Sequence, residues 1–508
     1  MSTLLSFDRA EFCAIAIAAA SCQTPSDDIP SPSQDAEDDY HGSEDDDDDS
    51  ITPHDIVQSA FDDKMKYAFL NRLAEVFANQ KTSHDRSSRR PKSTRRTDAD
   101  RVTAAMLVFE NEQPVVYIAQ NSGLTHDSAS MDMLQKLQTW LREIAISKAS
   151  RQQRRASNED MFKALVEFNT SRIEYYISEI CNDAKTAQLH HSAVNTLVQL
   201  CKSYRYQSPR HQEELRDIVI LASSLCHAGS VRGSLKMTRC IAFLARIKAA
   251  WRTFFDFASK FDYCTKIILE AVPGYDAIQI PMTQVIQHLL KLTHDHKRLQ
   301  KVMKKCDGKT SMSLYTHAEM QLLLQHGSLS QGRSKPDVFS HMGSSKKTCY
   351  LCQQTLYKHG VFSSRGSHHK ISPQWTINPN GLNLGPSFYL KLHDIFDSIK
   401  TDIFLLACNP STTRTKPPVA ESSVGLTTTS LADTVFKETC RSERRKAHQP
   451  GCNSEPLVFG PYIKTITVLR LPAKETATVV EDVKVFRQTQ DCQDDEDMTL
   501  KCDSDNLA

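Results

Sequence analysis

A polar pair precedes an apolar run in the stretch THAEMQLLL, residues 316–324. The pair is His317 and Glu319, and the apolar residues that follow indicate that both lie at the start of a buried helix. A second stretch, CYLCQQTL at residues 349–356, is also typical of a helix start. We therefore expect four chemistry-bearing side chains at the beginnings of two helices: His317, Glu319, Cys349 and Cys352.

The spacing of the two cysteines is that of metal ligands. Positions i and i+3 share one face of a helix, so both thiols can point at one ion, and the positive helix N-terminus favours their thiolate forms. With the His317 imidazole they make three ligands, and zinc with three protein ligands keeps a fourth position for water. Zinc lowers the pKa of bound water toward about 7. The pattern predicts a catalytic Zn²⁺ held by His317, Cys349 and Cys352.

Glu319 supplies the carboxylate that such a site needs to move protons. It lies too close to His317 in sequence to be a second ligand on the same helical face, but it can reach past the ion to the water. A carboxylate there takes the water's proton and passes it to a departing amine. This chemistry suits hydrolytic attack on an amidine carbon, as at C4 of cytosine or C6 of adenine.

Two alternatives compete with this interpretation. A second histidine, such as His341, His368 or His369, would close the metal shell and make the zinc structural. Alternatively, Cys349 and Cys352 are two core cysteines that bind no metal.

The residues resemble the cytidine-deaminase-like superfamily, whose signature is His-x-Glu followed by Pro-Cys-x-x-Cys. The sequence is most similar to a fungal branch of that superfamily, related to bacterial toxin deaminases. That similarity covers about 65 residues and continues through HGxF (359–362), RGxH (365–368) and PxWTI (373–377). One position departs from the wider superfamily, since Thr348 stands where proline usually precedes the first cysteine.

The resemblance implies a zinc-dependent hydrolytic deaminase that acts on a nucleobase in a nucleotide, a nucleoside or a nucleic acid. It implies an α/β fold with a three-layer core, here with a large all-helical insertion or domain. It also suggests substrate contacts, each with a plain alternative. Asn121 contacts substrate or is a turn residue, His368 orients substrate or closes the zinc shell, and Trp375 stacks on a base or packs in the core. The alternative function is a non-catalytic deaminase-like or structural zinc module in a helical interaction protein.

The periodicity along the chain predicts five regions. Residues 51–124 hold the first helix (54–79) and a hairpin (102–109 and 115–119), the first part of the deaminase core. Residues 125–306 form a helical block that is helical almost throughout. The zinc-binding core spans 307–410, with a strand at 337–342 between the metal-binding helices and a helix that runs into a strand over 387–406. The ends are an acidic region (1–50) and a tail (411–508) with a linker, a β-like segment and acidic residues.

Charge is distributed unevenly along the 508 residues, although the net charge is only +1. Residues 1–50 are acidic and expected to be disordered. Residues 81–101 hold eight Lys or Arg, which suits a solvated linker, a nuclear localisation signal or a phosphate-binding strip. These residues fit a nucleic-acid partner without requiring one, and the sequence identifies no protein partner.

Fifteen cysteines, an odd number spread along the chain, do not suggest a disulfide framework. No apolar run reaches the roughly 18 residues of a membrane helix, and Asp8 and Glu11 stand where a signal peptide would be basic. We therefore expect no membrane association and a cytoplasmic or nuclear location.

Overall fold

The two strands of the predicted hairpin lie at the centre of the main sheet. β1 (Thr103–Glu110) and β2 (Gln113–Gln120) pair antiparallel over their full lengths. The turn residues Asn111 and Glu112 have φ angles of 49° and 68°. Two left-handed residues in a tight turn match the twist of a hairpin, which is why β2 begins two residues earlier than the apolar pattern indicates.

The computed structural model describes residues 8–22, 54–79, 101–125, 127–147, 151–184, 192–206, 212–228, 234–292, 303, 308–331, 336–379 and 382–408. All of these residues belong to one compact unit within residues 1–440. The described residues form a mixed α/β fold, which confirms the predicted fold class.

Three further strands extend the hairpin into a five-stranded sheet of order β3-β2-β1-β6-β7. They are β3 (Ile268–Ala271), β6 (Asp337–Ser344) and β7 (Ser363–Ser364). β6 pairs antiparallel with β1, whereas β3 and β7 pair parallel with β2 and β6. The strand predicted at 337–342 is therefore confirmed as β6.

One face of this sheet packs on α2 (His54–Phe77). Ala105 and Leu107 of β1 share a buried core with Phe69 and Leu73 of the helix. α2 matches the helix predicted at 54–79.

The opposite face packs on α10 (Ala318–Leu329) and α11 (Tyr350–His359). Met106 and Val108 of β1 share a second buried core with Leu322 of α10. Successive side chains of a strand point to opposite faces, so β1 contributes alternate residues to the two cores. The sheet thus lies between two helical layers, as the predicted three-layer core requires.

The helical block packs into the core on the α2 side. Its first helix buries Leu134, Leu137, Leu141 and Ile144 at helical spacing. The block's helices are α3 (Ser128–Ile146), α4 (Arg151–Phe168), α5 (Thr170–Asp183), α6 (Ser192–Tyr206), α7 (Gln212–His227) and α8 (Leu235–Lys260).

The prediction that residues 125–306 are helical almost throughout is wrong at two places. β3 lies within this region and covers the edge of β2, which would otherwise present unpaired backbone groups. β4 (Ile278–Pro281) also lies there and is followed by α9 (Met282–Leu292). Strands of four residues are too short for their periodicity to show in the sequence.

A small second sheet leads into the chemistry-bearing segment. Its order is β4-β5-β8, with β5 (Ser311–Thr316) antiparallel to β4 and parallel to β8 (Trp375–Thr376). Residues 311–314 (Ser-Met-Ser-Leu) alternate polar and apolar side chains, a strand pattern that sequence inspection missed.

Two expectations near the ends of the described chain are also wrong. Residues 1–50 were expected to be disordered, but α1 (Arg9–Cys22) is a helix that buries Phe12 and Ile15 in the second core. The segment at 387–406 does not run into a strand, because α12 (Pro386–Cys408) continues as one helix. Its buried Ile399 and Ile403 are four residues apart, which keeps them on one helical face.

Several predicted features lie outside the described residues. They are the acidic run up to residue 50, the basic strip apart from Arg101, and everything from 409 to 508. Among the helices that the structure does describe, none has the length and apolarity to cross a membrane. The cysteines that the structure describes are free thiols.

Candidate zinc site

His317 is the residue at which the chain leaves β5 and enters α10. Its backbone is extended, with φ −65° and ψ 156°, and its carbonyl accepts hydrogen bonds from Met320 N and Gln321 N at 2.9 Å each. His317 is thus the N-cap of α10, and its side chain projects from the start of a buried helix as predicted.

Cys349 holds the same position on the next helix. It is the N-cap of α11, and its Sγ accepts a hydrogen bond from the backbone N–H of Cys352 at 3.4 Å. Both thiols therefore lie at the positive end of a helix, where negative charge is stabilised.

The three predicted metal ligands converge on one point. His317 Nδ1 lies 3.6 Å from the Sγ of Cys349 and 3.4 Å from the Sγ of Cys352. Tetrahedral zinc, with bonds of about 2.3 Å to sulfur and about 2.0 Å to nitrogen, separates such atoms by roughly 3.5 Å. The three ligand atoms all lie within 4.8 Å of one another, so this donor set fits a zinc ion.

The site has strong internal electrostatics. Burial raises the pKa of a thiol, but the hydrogen bond from Cys352 and the nearby His317 hold the pKa of Cys349 well below its ordinary value. Burial, Cys349 and Glu319 together raise the pKa of Cys352. Burial lowers the pKa of His317, but the charge of Cys349 outweighs it and leaves that pKa raised.

Glu319 lies beside the ligands in the first turn of α10. Its side chain is buried, and its Oε2 accepts a hydrogen bond from the Cys352 thiol at 3.6 Å. Burial is the largest influence on the pKa of Glu319 and raises it; the charge of Cys349 adds to this, while His317 opposes it. A buried carboxyl group whose pKa is raised holds a proton more readily than an ordinary glutamate, which suits a group that accepts a proton and passes it on.

The amino acids that form this site lie in a recognisable segment. Residues 316–380 match a deaminase family. The family is described as OTT_1508_deam-like deaminase, and the match spans the last residue of β5, then α10, β6, α11, β7 and β8. Comparison with curated proteins and with solved structures gives no significant match. The match supports a deaminase-like family for this segment, in keeping with the superfamily resemblance.

The three histidines considered as a fourth ligand lie outside the group formed by His317, Cys349 and Cys352. His341 contacts Ser363 Oγ at 3.2 Å and Asn71 Oδ1 at 3.4 Å, on the α2 side of the sheet. His368 Nδ1 accepts from Lys370 N at 3.1 Å, and His369 is exposed. Within the part of the chain that the structure describes, the metal-ligand group consists of three residues.

Asn121 directly follows β2 and contacts the start of α10. Its Oδ1 accepts a hydrogen bond from the backbone N–H of Ala318 at 2.7 Å. The side chain of Asn121 therefore accepts a hydrogen bond from one of the N–H groups that have no partner within α10 itself, at the end of the helix that carries His317 and Glu319. Its contact with a substrate stays a prediction.

His368 lies near the metal ligands without joining them. Its imidazole is half-buried, and burial lowers its pKa, while the charge of Cys349 opposes that shift. Its role toward a substrate stays a prediction.

Trp375 is 1% exposed. Its ring packs on Phe12 at a centroid distance of 5.6 Å and on Phe396 at 6.2 Å. These contacts put the indole in the core between α1 and α12. Packing accounts for its burial, and stacking on a base would require that ring to be accessible.

Thr348, the position that departs from the superfamily, has a backbone role that proline cannot fill. Its N–H donates to the carbonyl of Gly366 at 2.9 Å, and its hydroxyl donates to the same oxygen at 3.1 Å. Its own carbonyl accepts from His368 N at 3.0 Å. Because proline has no N–H, threonine here permits a bond that ties Cys349 to the following loop.

Gln321 is a positioning residue that sequence inspection missed. Its Nε2 donates to the carbonyl of Gln120 at 3.2 Å and to that of Thr316 at 2.9 Å. It thereby joins the end of β2 to the end of β5, next to His317. The sequence signal is a glutamine within the apolar run of α10, since an amide that is buried there needs hydrogen-bond partners.

Proposed function

We propose that this protein is a zinc-dependent hydrolase that removes an amino group from a nucleobase in a nucleotide, a nucleoside or a nucleic acid. We place it in the fungal branch of the cytidine-deaminase-like superfamily, on the resemblance of its motifs. The observation that carries the proposal is the convergence of His317, Cys349 and Cys352 beside the buried carboxyl group of Glu319.

The proposed reaction is a hydrolysis. A zinc ion in this site supplies the means to make water a good nucleophile near neutral pH. Water adds to the amidine carbon, a C–O bond forms, and the C–N bond to the amino group breaks. Glu319 takes the water's proton and delivers it to the nitrogen, which leaves as ammonia.

The number of ligands favours catalysis over a structural zinc module. Structural zinc sites are closed by four protein ligands, whereas catalytic sites have three and keep a position for water or substrate. The described residues supply three. A structural site also has no need for Glu319, a carboxyl group that is buried without a cationic ion-pair partner among the described salt bridges.

Two residues are our candidates for substrate contact. Asn121 lies at the start of α10. His368 lies close enough to Cys349 and His317 for their charges to shift its pKa. Both carry groups that can donate and accept hydrogen bonds to the polar edge of a base.

The test is to purify the full chain, measure bound zinc by mass spectrometry, and assay ammonia release from bases, nucleosides, nucleotides, single-stranded DNA and RNA. We expect one zinc ion per chain and ammonia release from at least one nucleobase substrate. Cys349→Ser should lose the zinc, and Cys408→Ser, at an exposed cysteine of α12, should keep it.

Zinc without ammonia release from any of these substrates would contradict the enzymatic proposal and favour a non-catalytic zinc module. If wild-type protein contains no zinc, and Cys349→Ser has the same zinc content as wild type, the metal site itself is contradicted.

A further inference from the structure

Four arginines surround one carboxylate in the interior on the α2 side of the sheet. They come from separate parts of the chain: Arg72 from α2, Arg172 from α5, Arg246 from α8 and Arg365 from the loop after β7. Their partner is Glu75 of α2, which is 3% exposed. We call the four the arginine cluster.

All four side chains are at least nine-tenths buried. Arg72, Arg172 and Arg246 are 7%, 9% and 4% exposed, and the side chain of Arg365 is 7% exposed. Arginine is rarely buried to this degree unless each guanidinium is paired.

Glu75 pairs fully with only two of the arginines. Its carboxylate lies 2.7 Å from Arg72 Nη1 and 2.5 Å from Arg365 Nη1. Arg246 Nη1 is farther, at 3.8 Å, and Arg172 donates to the backbone carbonyl of Glu75 rather than to its carboxylate. Within the described part of the chain, four guanidinium groups and one carboxylate therefore share this interior, an excess of three positive charges.

The excess charge is accompanied by unpaired donors. Among the residues that the structure describes, none provides a hydrogen-bond partner for Nε or Nη1 of Arg246, or for Nε or Nη2 of Arg365. Buried N–H groups without acceptors are costly, more so when they belong to a charged group. The ring of Phe243, 4.4 Å from the Arg246 guanidinium, offers a π face but no acceptor oxygen.

The arginines also repel one another. Burial is the largest influence on Arg246; with repulsion from Arg365, Arg72 and Arg172, and opposed by Glu75, it lowers the pKa of Arg246 to about 9. The single carboxylate of Glu75 therefore leaves part of the guanidinium charge in this interior without an anionic oxygen beside it.

We propose that the arginine cluster is a binding site for a phosphate-type oxyanion. Guanidinium groups match phosphate oxygens with paired N–H donors, and one phosphate group supplies several acceptors and up to two negative charges. Because the side chains are buried, the ligand is a small phosphate compound enclosed on folding rather than the backbone of a nucleic acid. The site joins α2 to the helical block, on the opposite side of the sheet from the zinc ligands.

The cluster is connected to the zinc site through one loop. Arg365 is followed by Gly366, whose carbonyl accepts the hydrogen bonds of Thr348, and Thr348 precedes Cys349. An anion that holds Arg365 in place therefore also supports the position of a metal ligand. The anion site itself does not depend on the proposed deaminase activity.

The test begins with the full chain as purified in phosphate-free buffers. Denaturation in acid followed by phosphorus NMR should release about one phosphate group or more per chain, and the chemical shift distinguishes inorganic phosphate from a phosphate ester. After removal of bound anion, inorganic phosphate should raise the melting temperature above that in sodium chloride of equal ionic strength.

The matched variants are Arg246→Met and Arg155→Met. Arg246→Met removes the whole guanidinium, including its two unpartnered nitrogen atoms, and should weaken phosphate binding by about 10- to 100-fold, as expected for loss of charge-assisted hydrogen bonds. Arg155 is an exposed arginine paired with Glu159, so Arg155→Met should keep the full phosphate effect.

Three results would overturn the anion site. The first is wild-type protein that releases no phosphorus and melts alike in phosphate and chloride. The second is a phosphate effect of equal size in wild type and Arg246→Met. The third is an Arg246→Met protein that melts higher than wild type in every buffer, as removal of an uncompensated buried charge would produce. If Arg246→Met fails to fold, the two measurements on wild type decide the question.

Discussion

Replacing Thr348 by proline tests how this chain holds its first cysteine. The substitution installs the residue that the wider superfamily usually carries there. Thr348 is 1% exposed, and both its N–H and its hydroxyl donate to the carbonyl of Gly366. Proline removes both donors and leaves this acceptor without either of them.

The size of the effect follows from these two bonds. A buried polar group that loses its partner costs about 1–3 kcal/mol, so losing both donors should lower the free energy of unfolding by about 2–4 kcal/mol. Thr348→Val is the matched control, because it removes the hydroxyl but keeps the N–H, and it should cost about 1 kcal/mol. The difference between the two variants isolates the backbone hydrogen bond.

Denaturant unfolding and zinc content measure the two consequences. Since Thr348 adjoins Cys349, Thr348→Pro should also weaken zinc binding by about 10- to 100-fold, as is typical when support for a metal ligand is lost. Equal stability and equal zinc affinity of Thr348→Pro and Thr348→Val would refute this reasoning. It would mean that the loop at Gly366 does not position the cysteine.

Two further predictions concern the packing and titration of the α2 side of the sheet. A Cβ on Gly343 would lie 2.2 Å from the carbonyl carbon of Leu70, so Gly343→Ala must push α2 away from β6 and should lower the free energy of unfolding by about 1–3 kcal/mol, measured with denaturant. Gly385→Ala is the control, because its Cβ would meet the movable side chain of Gln331 at 2.7 Å, and it should lower that free energy far less. Equal losses in the two variants would contradict the close approach of α2 and β6. Burial and the charge of Arg365 lower the pKa of His341 to about 3. In the unfolded chain this histidine takes up a proton as the pH falls through about 6.5, whereas in the folded protein it stays neutral until the pH approaches 3. The stability from neutral His341 is present above pH 6.5 and falls by up to about 1.4 kcal/mol per pH unit as the pH drops toward 3. His341→Gln should flatten the stability profile between pH 6.5 and 5 relative to wild type, and a wild-type slope in His341→Gln would rule out this assignment.

The convergence of His317, Cys349 and Cys352 could be predicted from sequence because their placement depends on local structure. His317 and Cys349 each cap a helix, and the residues that follow a helix start allow it to be predicted from sequence. The i, i+3 spacing then fixes where Cys352 points. Only the meeting of the two helices is non-local, and there the metal-binding chemistry of the residues themselves indicated the pairing.

The parts that sequence inspection missed depend on distant partners. β3 is four residues long and becomes a strand because β2 offers it an edge. α1 is ordered because α9 and α12 bury its apolar residues, which no property of residues 1–50 alone reveals. The residues of the arginine cluster come from three helices and a loop that lie far apart in sequence, between Arg72 and Arg365, so no local sequence pattern predicts the cluster.

The most direct test of the deaminase proposal is Glu319→Gln in the purified full chain, with zinc content and ammonia release measured on the same samples. Glutamine fills the same space but cannot carry a proton between water and the leaving amine. We expect Glu319→Gln to bind as much zinc as wild type and to lose ammonia release by at least about 100-fold. Ammonia release close to that of wild type, at equal zinc content, would contradict the role of Glu319 as the proton carrier.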